Sequence, residues 1–140
     1  MANHLLTLVT VHIWLGLLKR WRMPKSKINW RSVCPICSGL DVLGDKWTML
    51  IIRDLIIYET RTYSELLESP EHISTNILSD RLQLLSSMKL IERIRPDKPV
   101  RNNAFKLTES GKALRPTLEE LGRWAHTHLK EYNSEMLSVD

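Results

Sequence analysis

Cysteine is scarce in this chain, which has two in 140 residues, Cys34 and Cys37. So low a count excludes a disulfide framework and makes the reducing cytoplasm the default location. A zinc site built on this Cys-x-x-Cys pair would need two further ligands. His126 and His128 lie two residues apart on a predicted helix, so they point to different faces and form a poor ligand pair. We therefore predict no metal site and no cofactor.

Hydrophobic runs long enough to cross a membrane are also missing. The apolar stretch Leu5 to Leu18 holds 14 residues, whereas a spanning helix needs about 20. It has no basic residue before it and no small-x-small cleavage site, so it is a poor signal peptide. We expect no stable membrane association. We interpret residues 1–22 as an N-terminal extension of doubtful status, and favour Met23 as the true first residue over a functional segment.

Positive charge is concentrated in two segments of the chain, whose formal net charge is +4. Residues 19–31 carry six cationic side chains and no acid, and residues 23–33 read as a basic arm. Residues 89–106 carry six more against two acids, Glu92 and Asp97. The first cluster shrinks if translation begins at Met23, but the second does not. A basic patch of this kind is typical of nucleic-acid binding.

The region from Tyr63 to Thr108 has the order of a DNA-reading motif. Ser64 to Ser69 predicts a short helix that Pro70 stops, and Ser74 to Met88 predicts a longer one. Residues 91–95 and 101–107 then predict two strands of a basic hairpin. Helix, turn, helix and wing in this order define a winged helix-turn-helix, and no catalytic constellation competes with it, so we predict that the chain is not an enzyme. The predicted fold class is mainly α-helical with a small β-hairpin (α+β), with flanking dimerisation helices.

The longer helix divides into an apolar side, with Leu78, Leu82 and Leu85, and a polar side. Asn and Gln can bond adenine edges, and Ser or Thr can reach bases or phosphates, although a merely solvated face is the alternative. Asp80 would repel phosphate, and Arg81 suits a structural ion pair as well as a phosphate contact. The candidate DNA-binding residues are Ser74, Thr75, Asn76, Ser79, Asp80, Arg81 and Gln83 on the helix, and Arg95, Lys98 and Arg101 in the wing.

Further helices flank this motif. A first helix is predicted from Pro35, with Ile36, Leu40 and Leu43 on one face, and Gly44 ends it. Asp45 then caps a second helix, Lys46 to Ile57, which is apolar nearly all round and reads as the central buried helix. The apolar positions expected to lie together on this second helix are Trp47, Leu50, Ile51 and Leu55.

The last predicted helix begins after Thr108, and Pro116 predicts a kink or a restart in it. Its apolar residues either cover the chain's own core or form a two-fold seam between two copies. The candidate dimer-interface residues are Leu114, Leu118, Leu121 and Trp124. We assign residues 34–130 to the winged helix-turn-helix domain with this helix, and residues 131–140 to a tail.

Several separated motifs between Cys34 and Leu129 together resemble the HxlR-type transcriptional regulators, winged helix-turn-helix proteins related to the MarR group. The motifs are Cys34-Pro-Ile-Cys37, Leu40 to Leu55, Ser64-Glu-Leu66, Ile73 to Leu82, Leu107-Thr-Glu-Ser-Gly111 and Leu114-x-Pro116. The resemblance implies a homodimer joined by its terminal helices, with its recognition helices in successive major grooves of palindromic double-stranded DNA. Cys37, the segment 100–104 and residues 1–22 depart from the family pattern.

The resemblance also implies that Cys34 stands where some family members keep a sensor thiol, so an oxidant or small-molecule effector is a candidate partner. Cys34 precedes a helix, whose dipole stabilises a thiolate, and Lys25, Lys27 and Arg31 add positive charge. Cys37 could resolve an oxidised Cys34 into a bridge. A small buried residue with no chemistry remains the plainer interpretation of Cys34. Two other classes stay open: a Cys-x-x-Cys redox protein, and a winged helix used only for protein interaction.

Overall fold

The computed structural model describes residues 28–138. Its elements are α1 (Pro35–Leu43), α2 (Thr48–Tyr58), β1 (Thr60–Thr62), α3 (Tyr63–Leu67), α4 (Thr75–Ser87), β2 (Ile91–Arg93), a short 3-10 helix (Val100–Asn102), β3 (Ala104–Leu107), α5 (Glu109–Lys112) and α6 (Arg115–Leu129). This order confirms the predicted class, mainly α-helical with a small β-structure in a winged helix-turn-helix. The stretch 5–18, Met23, Lys25 and Lys27 lie outside the described residues.

The β-structure is a three-stranded antiparallel sheet rather than the predicted two-stranded hairpin. Its order is β1-β3-β2, with Thr60 opposite Lys106 and Ile91 opposite Leu107. β1 has only three residues, too few for a visible alternation of apolar and polar side chains. The predicted strand 101–107 was also too long, because residues 100–102 form the 3-10 helix.

The core forms around α2 and α4. On α2, Ile51, Ile52 and Leu55 are buried, and on α4 the apolar side predicted from the sequence is buried at Leu78, Leu82 and Leu85. Phe105, the only phenylalanine of the chain, is fully buried from β3. Burying large apolar side chains from two helices and the sheet fixes α4 against the rest of the domain.

The helix ends follow the predicted capping signals. Ser74 accepts a hydrogen bond from the backbone N–H of Ile77 at the start of α4. Asp45 accepts hydrogen bonds from the backbone of Trp47 and Thr48 at the start of α2, and Gly44 ends α1. The chain restarts before Pro116, which lies in the first turn of α6. A proline fits there because that position needs no backbone donor.

Of the predicted apolar face of α1, only Leu43 packs against the core. The exposed fraction is 75% for Ile36 and 55% for Leu40, whereas Val42 is buried. α2, predicted to be apolar nearly all round, also buries two polar residues, Thr48 and Asp54. Within residues 28–138, no helix combines the length and the apolar character that crossing a membrane requires.

Candidate nucleic-acid interface

The outward side of α4 consists of polar side chains. Thr75, Asn76, Asp80 and Gln83 are exposed, as the sequence pattern predicted. Donor and acceptor groups in the first turns of a recognition helix are the ones that reach base edges in a major groove. α4 therefore presents a surface suited to reading DNA.

Ser79 differs from these residues because it is half-buried and its hydroxyl contacts a side chain of another helix. Its Oγ lies 3.0 Å from the Oη of Tyr63, a buried residue at the start of α3. The same Tyr63 hydroxyl donates a hydrogen bond of 2.8 Å to the carbonyl of Thr75. Tyr63 thus ties the first helix of the motif to the first turns of the recognition helix. In the sequence, Tyr63 lies at the edge of the motif and carries no signal of this role.

A buried carboxylate holds the turn between α3 and α4. Asp54, with 4% of its surface exposed, accepts hydrogen bonds from Arg53 and from the hydroxyl of Ser69. Arg53 also donates to Glu71, with 2.6 Å between Nη1 and Oε1. The Glu71 hydrogen bond raises the pKa of Arg53, and Arg53 in turn lowers the pKa of Glu71. The network joins α2 to residues on both sides of Pro70. In the sequence, the only sign of this network is Asp54, an acidic residue in a largely apolar helix.

Arg81 is half-buried at the edge between the apolar and the polar side of α4. Its guanidinium is 3.4 Å from the carboxylate of Asp45. Burial would raise the pKa of Asp45, but hydrogen bonds from Thr48 and Trp47 and the charge of Arg81 hold that pKa below its ordinary value. This geometry favours the ion pair among the two roles considered for Arg81, and it connects α4 to the start of α2.

The wing loop is organised by Asn103, whose exposed fraction is 1%. Its side-chain oxygen accepts from the backbone N–H of Arg95 at 3.0 Å. Its amide nitrogen donates to the carbonyls of Arg95 at 2.6 Å and Lys98 at 3.0 Å. The Asn103 side-chain amide makes hydrogen bonds to the backbone that a paired strand would otherwise make. It therefore closes the turn although the flanking strands are short. This role of Asn103 could not be predicted from the sequence, because its partners lie five and eight residues away.

The predicted wing cations point to solvent. Arg95, Lys98 and Arg101 are exposed, and Lys98 lies 3.7 Å from the exposed Asp97. An exposed pair of this kind is weak and leaves Lys98 able to meet a phosphate. Lys106 is different, since it pairs across the sheet with Glu92 at 3.0 Å. The free charge of the wing therefore concentrates at its loop, next to the 3-10 helix that packs on α4.

The two cysteines lie at the start of α1. Cys34 is exposed immediately before the helix, Cys37 is half-buried, and both are free thiols. Arg31, one of the three cations expected to act on Cys34, forms an ion pair with Asp41. The hydrogen bond from Arg31 lowers the pKa of Asp41. Much of the charge of Arg31 is thus neutralised by a carboxylate on α1. Within residues 28–138, no cluster of three or more His, Cys, Asp or Glu side chains could hold a metal ion.

The four candidate interface residues divide into two pairs. Leu114 and Leu118 are half-buried and pack against the chain's own core. Leu121 and Trp124 are 51% and 52% exposed on α6. An exposed leucine and tryptophan close together on one helix are unusual for an isolated domain and typical of a contact surface.

Taken together, an exposed polar helix with a capped N-terminus and an adjacent basic wing on a three-stranded sheet define a winged helix-turn-helix DNA-binding protein. The family model described as HxlR-like helix-turn-helix matches residues 42–133, and the chain belongs to this family of transcriptional regulators. The predicted family and the prediction of a non-enzymatic regulator are therefore confirmed.

Individual relatives agree with this assignment. The chain is 34% identical over 100 residues to YvaP, an HTH-type transcriptional regulator of Bacillus subtilis strain 168, covering 70% of this chain and 91% of the relative. It is 34% identical over 96 residues to YodB, an HTH-type transcriptional regulator of the same strain, covering 67% and 84%.

Solved structures of similar proteins show the same fold. The reduced form of YodB from B. subtilis has a TM-score of 0.57 and 30% identity, covering 69% of this chain and 95% of that one. A MarR-family regulator from Porphyromonas gingivalis W83 has a TM-score of 0.58 at 24% identity, covering 74% and 99%. The latter likeness concerns the fold alone.

Proposed function

We propose that the chain acts as a homodimer on a palindromic operator, with α4 of each copy in a major groove and each wing on the adjacent backbone. The observation that carries this proposal is the exposed polar side of α4 beside the exposed cations Arg95, Lys98 and Arg101. α4 supplies groups that distinguish bases, and the wing supplies charge that acts on any sequence. Such a regulator works in the cytoplasm, where it meets DNA.

Two exposed apolar surfaces support the homodimer. Leu121 and Trp124 on α6 are about half exposed, and on α1 Ile36 and Leu40 are more exposed still, at 75% and 55%. A second copy related by a two-fold axis can cover such surfaces on both chains at once. The same axis would turn two α4 helices towards two half-sites of a palindrome.

We also propose that Cys34 makes DNA binding respond to oxidants or quinones. YodB has been solved in a reduced form and in a quinone-bound form, the latter at 30% identity and a TM-score of 0.56. Cys34 is exposed next to the N-terminus of α1, and α1 carries the apolar surface proposed for the dimer. A modified Cys34 would therefore change the surroundings of that surface. Cys37 lies one turn further along the helix and supplies a second thiol.

The test begins with an operator selected by the native protein from random DNA duplexes. Binding should weaken steeply with salt, and Asn76→Ala should cost about 1–3 kcal/mol on the operator but little on random DNA. Asn133→Ala, in the exposed tail after α6, is the matched control and should change neither affinity. If no sequence is selected, or if Asn76→Ala weakens both duplexes equally, sequence-specific reading by α4 is wrong.

The thiol response needs a separate measurement. Operator affinity is compared after mild oxidant or benzoquinone and after reduction, in the native protein, Cys34→Ser and Cys37→Ser. The native protein should change its affinity reversibly with oxidant, and Cys34→Ser should not respond. Unchanged affinity of a native protein whose Cys34 is shown by mass spectrometry to be modified would remove the switch and leave the regulator with another trigger.

A further inference from the structure

The position of the Tyr63 hydroxyl is fixed from several sides. Tyr63 is 4% exposed, and its backbone N–H donates a hydrogen bond of 3.1 Å to the carbonyl of Asn103 in the wing. Thr62 and Glu65 form a capping box at the start of α3, so the first turn of this helix is set by two reciprocal hydrogen bonds. The Tyr63 ring is therefore held in one position, and its hydroxyl meets α4 at a defined place.

The Tyr63 hydroxyl has a single proton, and this fixes the direction of its two hydrogen bonds. That proton is donated to the carbonyl of Thr75, which can only accept. The second contact, 3.0 Å to the Oγ of Ser79, then requires Ser79 to donate its own proton to Tyr63. As a result, the Ser79 hydroxyl can accept a hydrogen bond from a molecule bound to the protein but cannot donate one.

We propose that Tyr63 is a positioning residue for base recognition. Because its hydroxyl accepts the Ser79 proton, Ser79 can only accept a hydrogen bond from DNA. This inference rests on the proposed operator binding by α4. An acceptor suits the amino groups that adenine and cytosine present in the major groove, whereas guanine and thymine present acceptors there. It is also unsuited to phosphate, which has only acceptor oxygens in its ionised form. Ser79 thus contributes to specificity, although its hydroxyl lies against the protein interior.

The consequence for the DNA is a preference at one base position of each half-site. On the strand that Ser79 faces, an amino-bearing base should bind more tightly than guanine or thymine by about two- to tenfold, the range expected for one net hydrogen bond. In Tyr63→Phe the ring remains but the acceptor for the Ser79 proton is gone. Ser79 can then donate or accept, so the preference at that position should disappear.

The experiment measures the affinities of native protein, Tyr63→Phe, Ser79→Ala and the double variant for a series of duplexes. Each duplex differs from the selected operator at one base pair, and melting curves are recorded for each variant. Tyr63→Phe and Ser79→Ala should each remove the preference at the same position and keep the preferences elsewhere, and the double variant should lose nothing further. Tyr132→Phe, at an exposed tyrosine of the tail, should behave like the native protein.

A purely structural role for Tyr63 would give a different pattern, in which all duplexes lose affinity alike and the melting temperature falls in parallel. That outcome overturns the proposal, as does a Tyr63→Phe variant that keeps the native preference at every position. If Tyr63→Phe does not fold, Ser79→Ala decides, because unchanged base preferences in that variant remove Ser79 from recognition. A native protein that selects no sequence would instead contradict the proposed operator binding.

Discussion

Asp54 lies on α2 with two hydrogen-bonding residues and one further guanidinium around its carboxylate. Arg53 and the Ser69 hydroxyl hydrogen-bond to it, and the Arg61 guanidinium lies 4.0 Å away. A carboxylate at this depth is tolerated because its charge is balanced and its lone pairs are used. The pairing also connects α2 to Ser69, in the turn that precedes α4.

Replacing Asp54 by alanine should therefore destabilise the fold strongly. Removing the carboxylate leaves the buried Ser69 hydroxyl and one side of Arg53 without a partner, and losing one member of a buried pair costs about 3–5 kcal/mol. The measurement is the free energy of unfolding in urea. Glu71→Ala is the matched control, since its carboxylate is 34% exposed and its pair with Arg53 should contribute about 1 kcal/mol or less. Equal losses in the two variants would contradict the central role of Asp54.

The two parts proposed to contact DNA, α4 and the wing, each depend on local hydrogen bonds. Asp45 caps α2 and pairs with Arg81 of α4, while Asn103 closes the wing loop. Each of these contacts fixes the end of an element or a loop. α4 is held mainly by the burial of its apolar side, and the polar contacts at Asp45 and in the wing loop add to that packing.

The Asp45 cap predicts a dependence of stability on pH. Its folded pKa lies below the ordinary value of 3.8, so the unfolded chain takes up a proton more readily than the folded one. The stabilisation is complete above that ordinary value and is lost as the pH falls through the lower folded pKa. Asp45→Asn should be less stable than the native protein at neutral pH and should lose less stability on acidification. Urea unfolding from pH 7 down to about pH 2 tests this, and parallel curves for the two proteins would contradict it.

The wing predicts an effect on the salt dependence of DNA binding. If Lys98 and Arg101 each meet a phosphate, changing either to alanine should weaken binding to all sequences and reduce the salt slope by about one unit. Lys112→Ala is the control, because this exposed cation pairs with Glu109 on α5, away from the wing loop. Affinity titrations at several salt concentrations give the slopes. An unchanged slope in both wing variants would place these side chains in free solvent.

For the whole molecule, the parts that the sequence predicted well are those with a regular period. α4 could be predicted because Leu78, Leu82 and Leu85 repeat at helical spacing and Ser74 gives a cap. β1 could not, since three residues carry no period and its pairing with β3 spans more than forty residues of chain. Contacts such as Asp54 with Ser69, and Tyr63 with Ser79, join residues 15 and 16 positions apart. Such contacts appear only once the helices are packed.

The same limit applies to the terminal helix, where one apolar stripe serves two purposes. Its period predicts that Leu114, Leu118 and Leu121 share a face, but not where the chain's own core ends. The structure places that boundary between Leu118, which packs on the core, and Leu121, which is half exposed. The proposed dimer surface therefore begins at Leu121.

This boundary predicts that two nearby substitutions have different effects, one on the stability of the single chain and the other on dimer formation. Leu118→Asp puts a charge against the domain's own core and should lower the stability of the chain itself. Leu121→Asp puts the charge on a surface open in the single chain, so the protein should stay folded but become monomeric and lose operator affinity. Light scattering after gel filtration and thermal unfolding separate these effects, with Leu137→Asp in the exposed tail as control. A Leu121→Asp protein that remains a dimer with full operator affinity would exclude α6 from the interface.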